Sequence, residues 1–247
     1  YLAVLSKAAI LAILVRVFLM GFSSHHTEWV TLFAFLSVAT MVVGNLVALA
    51  QNNFKRLLGY SAIAHSGYML IGLASVTSAG QTEGLSSAGP ASLVFYFGAY
   101  TVTVLAAFPS LLVILPRIDN DRIDSISGLS SRAPWIAASL ALALVSLTGL
   151  PLTAGFMGKL FLFTAAVNAG LVWLAILGVI NSVISAYYYL RIIRIMYTGR
   201  PPTNDPIKIP FSAAISIFIT SIAILFWGIL PNTLLNMANT IIESLLL

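Results

Sequence analysis

The sequence consists of long apolar runs separated by short polar segments. A helix needs about 20 apolar residues to cross the roughly 30 Å hydrocarbon layer of a membrane. None of the runs shows the alternation of a barrel strand, so each is predicted to be helical. The pattern predicts an all-α integral membrane protein with seven transmembrane helices, at residues 2–22, 30–50, 57–76, 91–115, 135–166, 171–197 and 211–230. The tail, 232–247, is predicted to form a short surface helix.

The fifth run is too long, and too rich in helix-breaking residues, for one straight helix. Residues 135–166 would extend about 48 Å as a continuous helix. The run contains the sequence LTGLPLTAGFMG, in which proline removes a backbone donor and glycine permits unusual backbone angles. We predict a discontinuous helix broken near Gly149 and Pro151, with Gly155 and Gly158 contributing to the break; the alternative is a plain proline kink. Broken helices within membranes commonly mark ion sites in transporters.

Composition supports a lipid environment and excludes several kinds of site. Apolar residues make up 60% of the chain and charged residues only 8%, so most of the exterior must be apolar. There is no cysteine, which excludes disulfides, iron–sulfur ligation and thiolate metal sites within this chain. His25 and His26 lie in a polar loop, which gives little support to haem or metal ligation.

The charged residues outside the apolar runs alternate between the two sides of the membrane. Glu28, Glu83 and Glu243 fall on one side, without lysine or arginine. The positive-inside rule places the opposite side in the cytoplasm. That side receives nine of the 12 basic residues: Lys55, Arg56, Arg117, Arg122, Arg132, Arg191, Arg194, Arg200 and Lys208. The net charge of +5 is thus mostly a topology signal and not a nucleic-acid patch.

Lys159 is a charge that topology does not explain, because it lies inside the fifth apolar run. A lysine at that depth costs at least roughly 2.5–3.5 kcal/mol. Snorkelling to an interface is the alternative, but apolar residues flank Lys159 on both sides. Burial favours the neutral form of a lysine, which can therefore release and regain a proton, whereas arginine stays charged. We predict that Lys159 takes part in proton transfer.

Lys7 and Arg16 share the first predicted helix but differ in their expected roles. Lys7 is predicted to belong to the same relay as Lys159, whereas Arg16 is interpreted as a snorkelling or structural charge near the far interface. The chain starts with Tyr1 instead of an initiator methionine, and no basic segment precedes the apolar run. We expect the sequence to begin inside a longer protein or after an unrecorded leading segment.

His65 and Lys55 are weaker relay candidates. His65 lies in the third run, within YSAIAHSGYML, and imidazole titrates near neutrality. It is either a relay member or a hydrogen-bonded contact between helices. Lys55 lies at the cytoplasmic turn beside Arg56, where a positive-inside anchor is the simpler interpretation.

Four stretches of this sequence resemble the antiporter-like membrane subunits of respiratory complex I, which are related to multisubunit cation/proton antiporters. They are QNNFKRLLGYSAIAHSGYMLIGL (51–73), SLTGLPLTAGFMGKLFLF (146–163), SKAAILAILVRVF (6–18) and SAYYYLRIIRIMYTG (185–199). The Gly158–Lys159 pair and the YYYLR run favour the N-type subunit over its M- and L-type relatives.

The resemblance implies a fold of fourteen helices containing two inverted five-helix repeats. Residues 1–22 would be the last helix of the first repeat, with the earlier helices absent, and 30–198 would be the second repeat with its broken helix at 135–166. Residues 211–247 would be the C-terminal transmembrane helix and tail. Lys7 would connect two half-channels and Lys159 would be the terminal lysine, while His65 and Lys55 match motif positions.

The resemblance also implies the setting of the chain. It would be a non-redox subunit of an NADH:quinone oxidoreductase that moves protons while another subunit reduces quinone. Quinone, FMN and iron–sulfur clusters would belong to partner subunits, with no cofactor in this chain. Its partners would be other membrane-arm subunits, including antiporter-like paralogues, in a bacterial inner membrane or an equivalent energy-coupling membrane.

Three other functions remain open at this point. The chain could serve a cation/proton antiporter, a ferredoxin- or hydrogenase-linked relative of the complex, or a passive scaffold. A sodium site favours several oxygen ligands, and the inner parts of the apolar runs contain no Asp or Glu, which favours protons. A scaffold would leave Lys159 unexplained.

Overall fold

The computed structural model describes residues 2–77, 87–117, 120–201, 205–207 and 209–246. Helices make up nearly all of this part of the chain, and an isolated β-bridge joins Asn53 to Arg122. The helices are α1 (Leu2–Arg16), α2 (His26–Leu49), α3 (Phe54–Ala74), α4 (Ala88–Ile114), α5 (Leu129–Arg132), α6 (Pro134–Thr148), α7 (Ala154–Asn168), α8 (Val172–Thr198), α9 (Phe211–Ile229) and α10 (Asn232–Leu246).

Six helical segments of the described chain are long and apolar enough to cross a membrane. They contain α1, α2, α3, α4, α8 and α9, and α1 continues as a π-helical turn at Val17–Gly21. By contrast, α6 and α7 have 15 residues each, about 22 Å, which is shorter than a full crossing. The predicted discontinuity of the fifth helix is thus confirmed. The count of seven crossings stays a prediction, since it requires α6 and α7 to form one crossing together.

The break between α6 and α7 is made by local backbone chemistry. Gly149 ends α6 in a left-handed conformation (φ 84°), and its N–H donates to the carbonyls of Val145 and Ser146. Glycine adopts this conformation without the steric penalty of a Cβ atom. Leu152 also has a positive φ of 71°, and Thr153 begins α7 by accepting a hydrogen bond from the Phe156 N–H. The irregular segment between Thr148 and Ala154 leaves carbonyls of the last turn of α6 without helical partners.

Gly155 and Gly158 differ from their predicted role, because both lie within α7 and not in the break. The Gly155 N–H donates to Ser146 Oγ at 3.2 Å, and a Cβ there would collide with the Ser146 carbonyl. A Cβ on Gly158 would lie 2.7 Å from Cδ2 of Tyr96. These two glycines allow α7 to approach α6 and α4 closely.

The helices form one packed bundle in which α4 is central. It contacts α3, α6, α7, α9 and α10, while α2 packs along α3 and α8. The predicted tail helix is present as α10, and its Ala238 and Ile242 are buried. This arrangement places the middle of α3, α4, α7 and α8 around a shared interior.

The segments that the charge pattern assigns to the cytoplasm meet in the structure. Lys55 Nζ lies 2.8 Å from Oδ1 of Asp121, and the Ile123 N–H donates to the Asn52 carbonyl at 3.0 Å. Arg191 Nη2 donates to Asn52 Oδ1 at 3.1 Å. Arg191 and the loop after α4 thus share one end of the bundle with the start of α3. Glu83 and Lys208 lie outside the described residues.

Candidate functional site

Lys159 is buried at the break between α6 and α7, with a relative exposure of 3%. Its Nζ donates to the carbonyls of Leu147 at 3.0 Å and Thr148 at 2.8 Å, and to Ser182 Oγ at 2.8 Å. Nζ also lies 4.7 Å from the ring centroid of Tyr68. The two carbonyls belong to the last turn of α6, where the helix dipole favours a positive charge. The broken helix thus supplies a binding position for the ammonium group.

Lys7 points from α1 into the bundle and is partly buried. Its Nζ donates to the Ala62 carbonyl of α3 at 2.6 Å and to the Tyr100 hydroxyl of α4 at 3.2 Å. Nζ lies 4.5 Å from the centroid of the same tyrosine ring. Arg16, by contrast, is exposed at the end of the same helix.

His65 of α3 is buried between the two lysine sites, and both of its ring nitrogens form hydrogen bonds. Nδ1 lies 2.6 Å from the Tyr96 hydroxyl and Nε2 lies 3.2 Å from the Tyr189 hydroxyl. The Tyr189 hydroxyl also forms a hydrogen bond with Ser61. The imidazole centroid is 5.2 Å from that of Tyr100 and 5.9 Å from that of Tyr68.

These contacts join the two lysines through one cluster of side chains. Lys7 contacts Tyr100, Tyr100 contacts His65, His65 contacts Tyr68, and Tyr68 contacts Lys159. The structure thus brings together three of the four predicted relay residues.

Lys55, the fourth, lies at the end of the bundle with 55% of its side chain exposed, in the ion pair with Asp121. A cavity of about 430 Å³ between α3 and α4 connects Lys55 with the interior cluster. Lys55, Ser61, Ala62 and Tyr100 all contribute to the lining, together with apolar side chains. The cavity therefore extends from the basic end of the bundle to both hydrogen-bond partners of Lys7.

Sequence reasoning missed most of the tyrosines and one serine of this cluster. Tyr96 and Tyr100 are four residues apart on α4, so they lie on one face of that helix. A buried tyrosine usually has a partner for its hydroxyl, and this was the available signal. Ser182 gave no signal, because a serine in an apolar helix commonly bonds only to its own backbone.

A second buried polar cluster joins α2 to α8. Asn45 Nδ2 donates to Asn181 Oδ1 at 3.0 Å, and the Tyr188 hydroxyl donates to Asn45 Oδ1 at 3.0 Å. The rings of Tyr188 and Tyr189 lie 4.5 Å apart. This cluster fixes the part of α8 that presents Tyr189 to His65. Among the described residues, no group of three or more His, Asp or Glu side chains is placed to hold a metal ion.

Comparison with known proteins gives this site its family context. The family described as NADH:quinone oxidoreductase/Mrp antiporter, TM, matches residues 1–185. The chain belongs to this family. It is therefore an integral membrane protein, in agreement with its apolar helices.

Individual relatives support the N-type resemblance. The chain is 40% identical over its whole length to half of the NADH-quinone oxidoreductase subunit N of Dehalococcoides mccartyi. It is 38% identical over its whole length to half of the subunit N of Desulforamulus reducens. Over 96% of its length it is 42% identical to 48% of a subunit N of Solidesulfovibrio magneticus. The chain thus spans about half the length of the curated relatives it matches.

Solved structures support the fold. Over 83% of this chain and 45% of the matched chain, respiratory complex I from Thermus thermophilus aligns with a TM-score of 0.68 and 34% identity. An archaeal membrane-bound sulfane sulfur reductase aligns over 99% of this chain and 48% of its own, with a TM-score of 0.84 and 24% identity. The Mrp complex from a Dietzia species aligns over 95% of this chain and 50% of the matched chain, with a TM-score of 0.83 and 20% identity. The last two likenesses concern the fold alone.

Proposed function

We propose that this chain is part of a proton-translocating membrane-arm subunit of a complex I-type NADH:quinone oxidoreductase. The carrying observation is the buried series of contacts from Lys7 through Tyr100, His65 and Tyr68 to Lys159. Similarity to subunit N proteins supports the assignment to this complex. Quinone reduction takes place in another subunit, and quinone, FMN and iron–sulfur clusters belong to partners.

The proposed path begins and ends on amines that can gain and lose a proton. Lys7 holds its proton against the Ala62 carbonyl and the Tyr100 hydroxyl, and Lys159 holds its proton at the carbonyl end of α6. His65 lies between them and can accept a proton at one ring nitrogen while donating from the other. Transfer between these groups needs further hydrogen bonds, formed as side chains reorient or through bridging water.

The proposed setting follows the same resemblance. Residues 1–22 end a first repeat, 30–198 form the second five-helix repeat, and 211–247 form the C-terminal helix and tail. The protein lies in a bacterial inner membrane or equivalent, beside antiporter-like paralogues, with its basic loops in the cytoplasm. Lys55 takes part at the cytoplasmic end, where its cavity leads toward the partners of Lys7.

The decisive experiment replaces the buried amine with an apolar side chain of similar length. Lys159→Met is introduced into the full-length subunit, and the assembled complex is reconstituted into vesicles. Acidification driven by NADH and quinone is recorded with a pH-sensitive dye. We expect proton pumping to fall by at least tenfold while the complex still assembles. Unchanged pumping would refute the proposed function.

The same vesicles can distinguish proton translocation from cation/proton exchange, which is the function expected of an antiporter relative. A sodium gradient applied without NADH should leave the internal pH unchanged, because the interior cluster offers amines, phenols and an imidazole instead of carboxylate ligands. Sodium-driven pH changes that disappear in Lys159→Met would favour the exchanger instead.

A further inference from the structure

The Ser182 hydroxyl lies between the Lys159 ammonium and the Thr148 carbonyl at the end of α6. It accepts a hydrogen bond from Lys159 Nζ at 2.8 Å and donates to the Thr148 carbonyl at 2.9 Å. Thr148 is also a direct acceptor for Nζ. The lysine, the serine and the carbonyl thus form a closed triangle of hydrogen bonds.

Counting donors and acceptors shows that the ammonium group is fully satisfied. A lysine ammonium has three protons, and Leu147 O, Thr148 O and Ser182 Oγ provide three acceptors. This complete set holds the protonated side chain at the break. In a buried site, an unsatisfied ammonium proton would destabilise the charged form strongly.

Loss of the proton changes what the nitrogen requires. A neutral amine has two donor protons and one lone pair that needs a donor. Leu147 and Thr148 offer carbonyl oxygens, which can only accept. A serine hydroxyl can donate as well as accept, and it reorients by rotation about its Cβ–Oγ bond. Among these three partners, Ser182 alone can donate to the lone pair of the neutral amine, whereas the two carbonyls can only accept from its remaining N–H groups.

A neutral amine could also find a hydrogen-bond donor by moving its side chain, but the surroundings of Lys159 restrict that movement. A Cβ atom on Gly149 would lie 2.8 Å from Lys159 Cδ and 3.4 Å from its Cε, so the aliphatic chain already lies against the Gly149 backbone. The centroid of the Tyr68 ring lies 4.7 Å from Nζ. The hydroxyl of Ser182 can change its hydrogen bonding without any such displacement.

We propose that Ser182 is a positioning residue that holds Lys159 at the carbonyl end of α6 in both of its protonation states. In the charged state it accepts a hydrogen bond from Nζ; after the proton leaves, its hydroxyl turns from Thr148 to donate to the amine. Lys159 can then release and regain a proton without leaving the break. The inference rests on the proposed role of Lys159 as a proton carrier.

The test compares three substitutions in the full-length subunit within its assembled complex. Ser182→Ala removes the hydroxyl and Ser182→Thr keeps it. Ser185→Ala removes a neighbouring hydroxyl, which donates to the Ser182 backbone carbonyl of its own helix. Initial pumping rates are measured in vesicles across a range of pH. We expect Ser182→Ala to pump at least about tenfold more slowly, the factor for losing a hydrogen bond to a charged group. Its pH profile should also change shape.

The two control variants should pump within about twofold of the parent at every pH. A parent-like rate and profile for Ser182→Ala would overturn the inference, as would a Ser182→Thr variant that is as impaired as Ser182→Ala. Should Ser182→Ala fail to assemble, Ser182→Cys replaces it, because a thiol is similar in shape but a weak donor and acceptor. Slow pumping by the cysteine variant supports the inference, and parent-like pumping refutes it.

Comparison with Lys159→Met distinguishes a failure of the Ser182 inference from a failure of the proposed function. If Lys159→Met abolishes pumping and Ser182→Ala leaves it unchanged, the role of Ser182 is wrong and the proton carrier stands. If neither substitution affects pumping, the proposed function itself fails.

Discussion

Replacing Gly149 with alanine should disturb Lys159 directly, in addition to straining the backbone. Gly149 ends α6 at φ 84°, a conformation that costs a non-glycine residue roughly 1–2 kcal/mol. The new Cβ would also lie 2.8 Å from Lys159 Cδ, whereas carbon atoms are at their best separation at about 3.5–4.0 Å. Relieving that contact requires a displacement of about 0.7–1.2 Å, the difference between these distances.

A displacement of that size is large enough to break the contacts of the ammonium group. Lys159 Nζ lies 2.8–3.0 Å from its three acceptors, and a shift of about 1 Å away from them would exceed hydrogen-bond distance. We therefore expect Gly149→Ala to lower pumping by at least about tenfold, as the loss of one or more hydrogen bonds to a charged group implies.

Gly170 provides a matched control for the backbone effect. It has a similar φ of 78°, but a Cβ added there would meet no atom within 4 Å. Gly170→Ala should therefore show only the conformational cost, roughly 1–2 kcal/mol of stability, and pump nearly normally. Both variants are compared by unfolding in increasing SDS and by pumping in vesicles. Equal pumping by the two alanine variants would refute the proposed contact between Gly149 and Lys159.

Two further substitutions test the clusters around the relay. His65→Gln keeps a donor and an acceptor for Tyr96 and Tyr189 but cannot take up a proton near neutral pH, so the complex should assemble and pump at least tenfold more slowly; full pumping would show that His65 is a structural contact. Asn45→Leu removes hydrogen bonds to Asn181 and Tyr188. It should lower the free energy of unfolding in SDS by roughly 1–2 kcal/mol, because an average interhelical hydrogen bond contributes about 0.6 kcal/mol and the former partners are left unpaired. An additive loss in the double variant with Asn181→Leu would argue against direct coupling of the two asparagines.

The parts of the fold that depend on local sequence could be predicted. Long apolar runs fix where helices form in a membrane, and Gly149 with Pro151 carries enough local information to place the break. The isolation of Lys159 in an apolar run was likewise a reliable sign of a special environment. Each of these features involves neighbouring residues of the chain.

The parts that depend on contacts between distant residues could not be predicted. Asn45 and Asn181 are 136 residues apart, and neither has a local pattern that identifies the other as its partner. The glycines after the break illustrate the same limit. Gly155 and Gly158 belong to α7, where the need for glycine comes from the approach of Ser146 and Tyr96. The sequence analysis assigned both glycines to the break, because no local pattern identifies the distant side chain or backbone that each one faces.

The position of Lys159 links the stability of the helix break to the charge that the proposed function moves. While protonated, the lysine caps the carbonyl end of α6, where a cation contributes roughly 0.3–2 kcal/mol through the helix dipole. A neutral amine loses this contribution, so every proton release by Lys159 weakens the cap by the same amount. Because linkage is reciprocal, any movement that opens the break also makes the proton easier to release. A rearrangement elsewhere in the complex could therefore control proton release from Lys159 through the geometry of the α6–α7 break, without contacting the lysine itself.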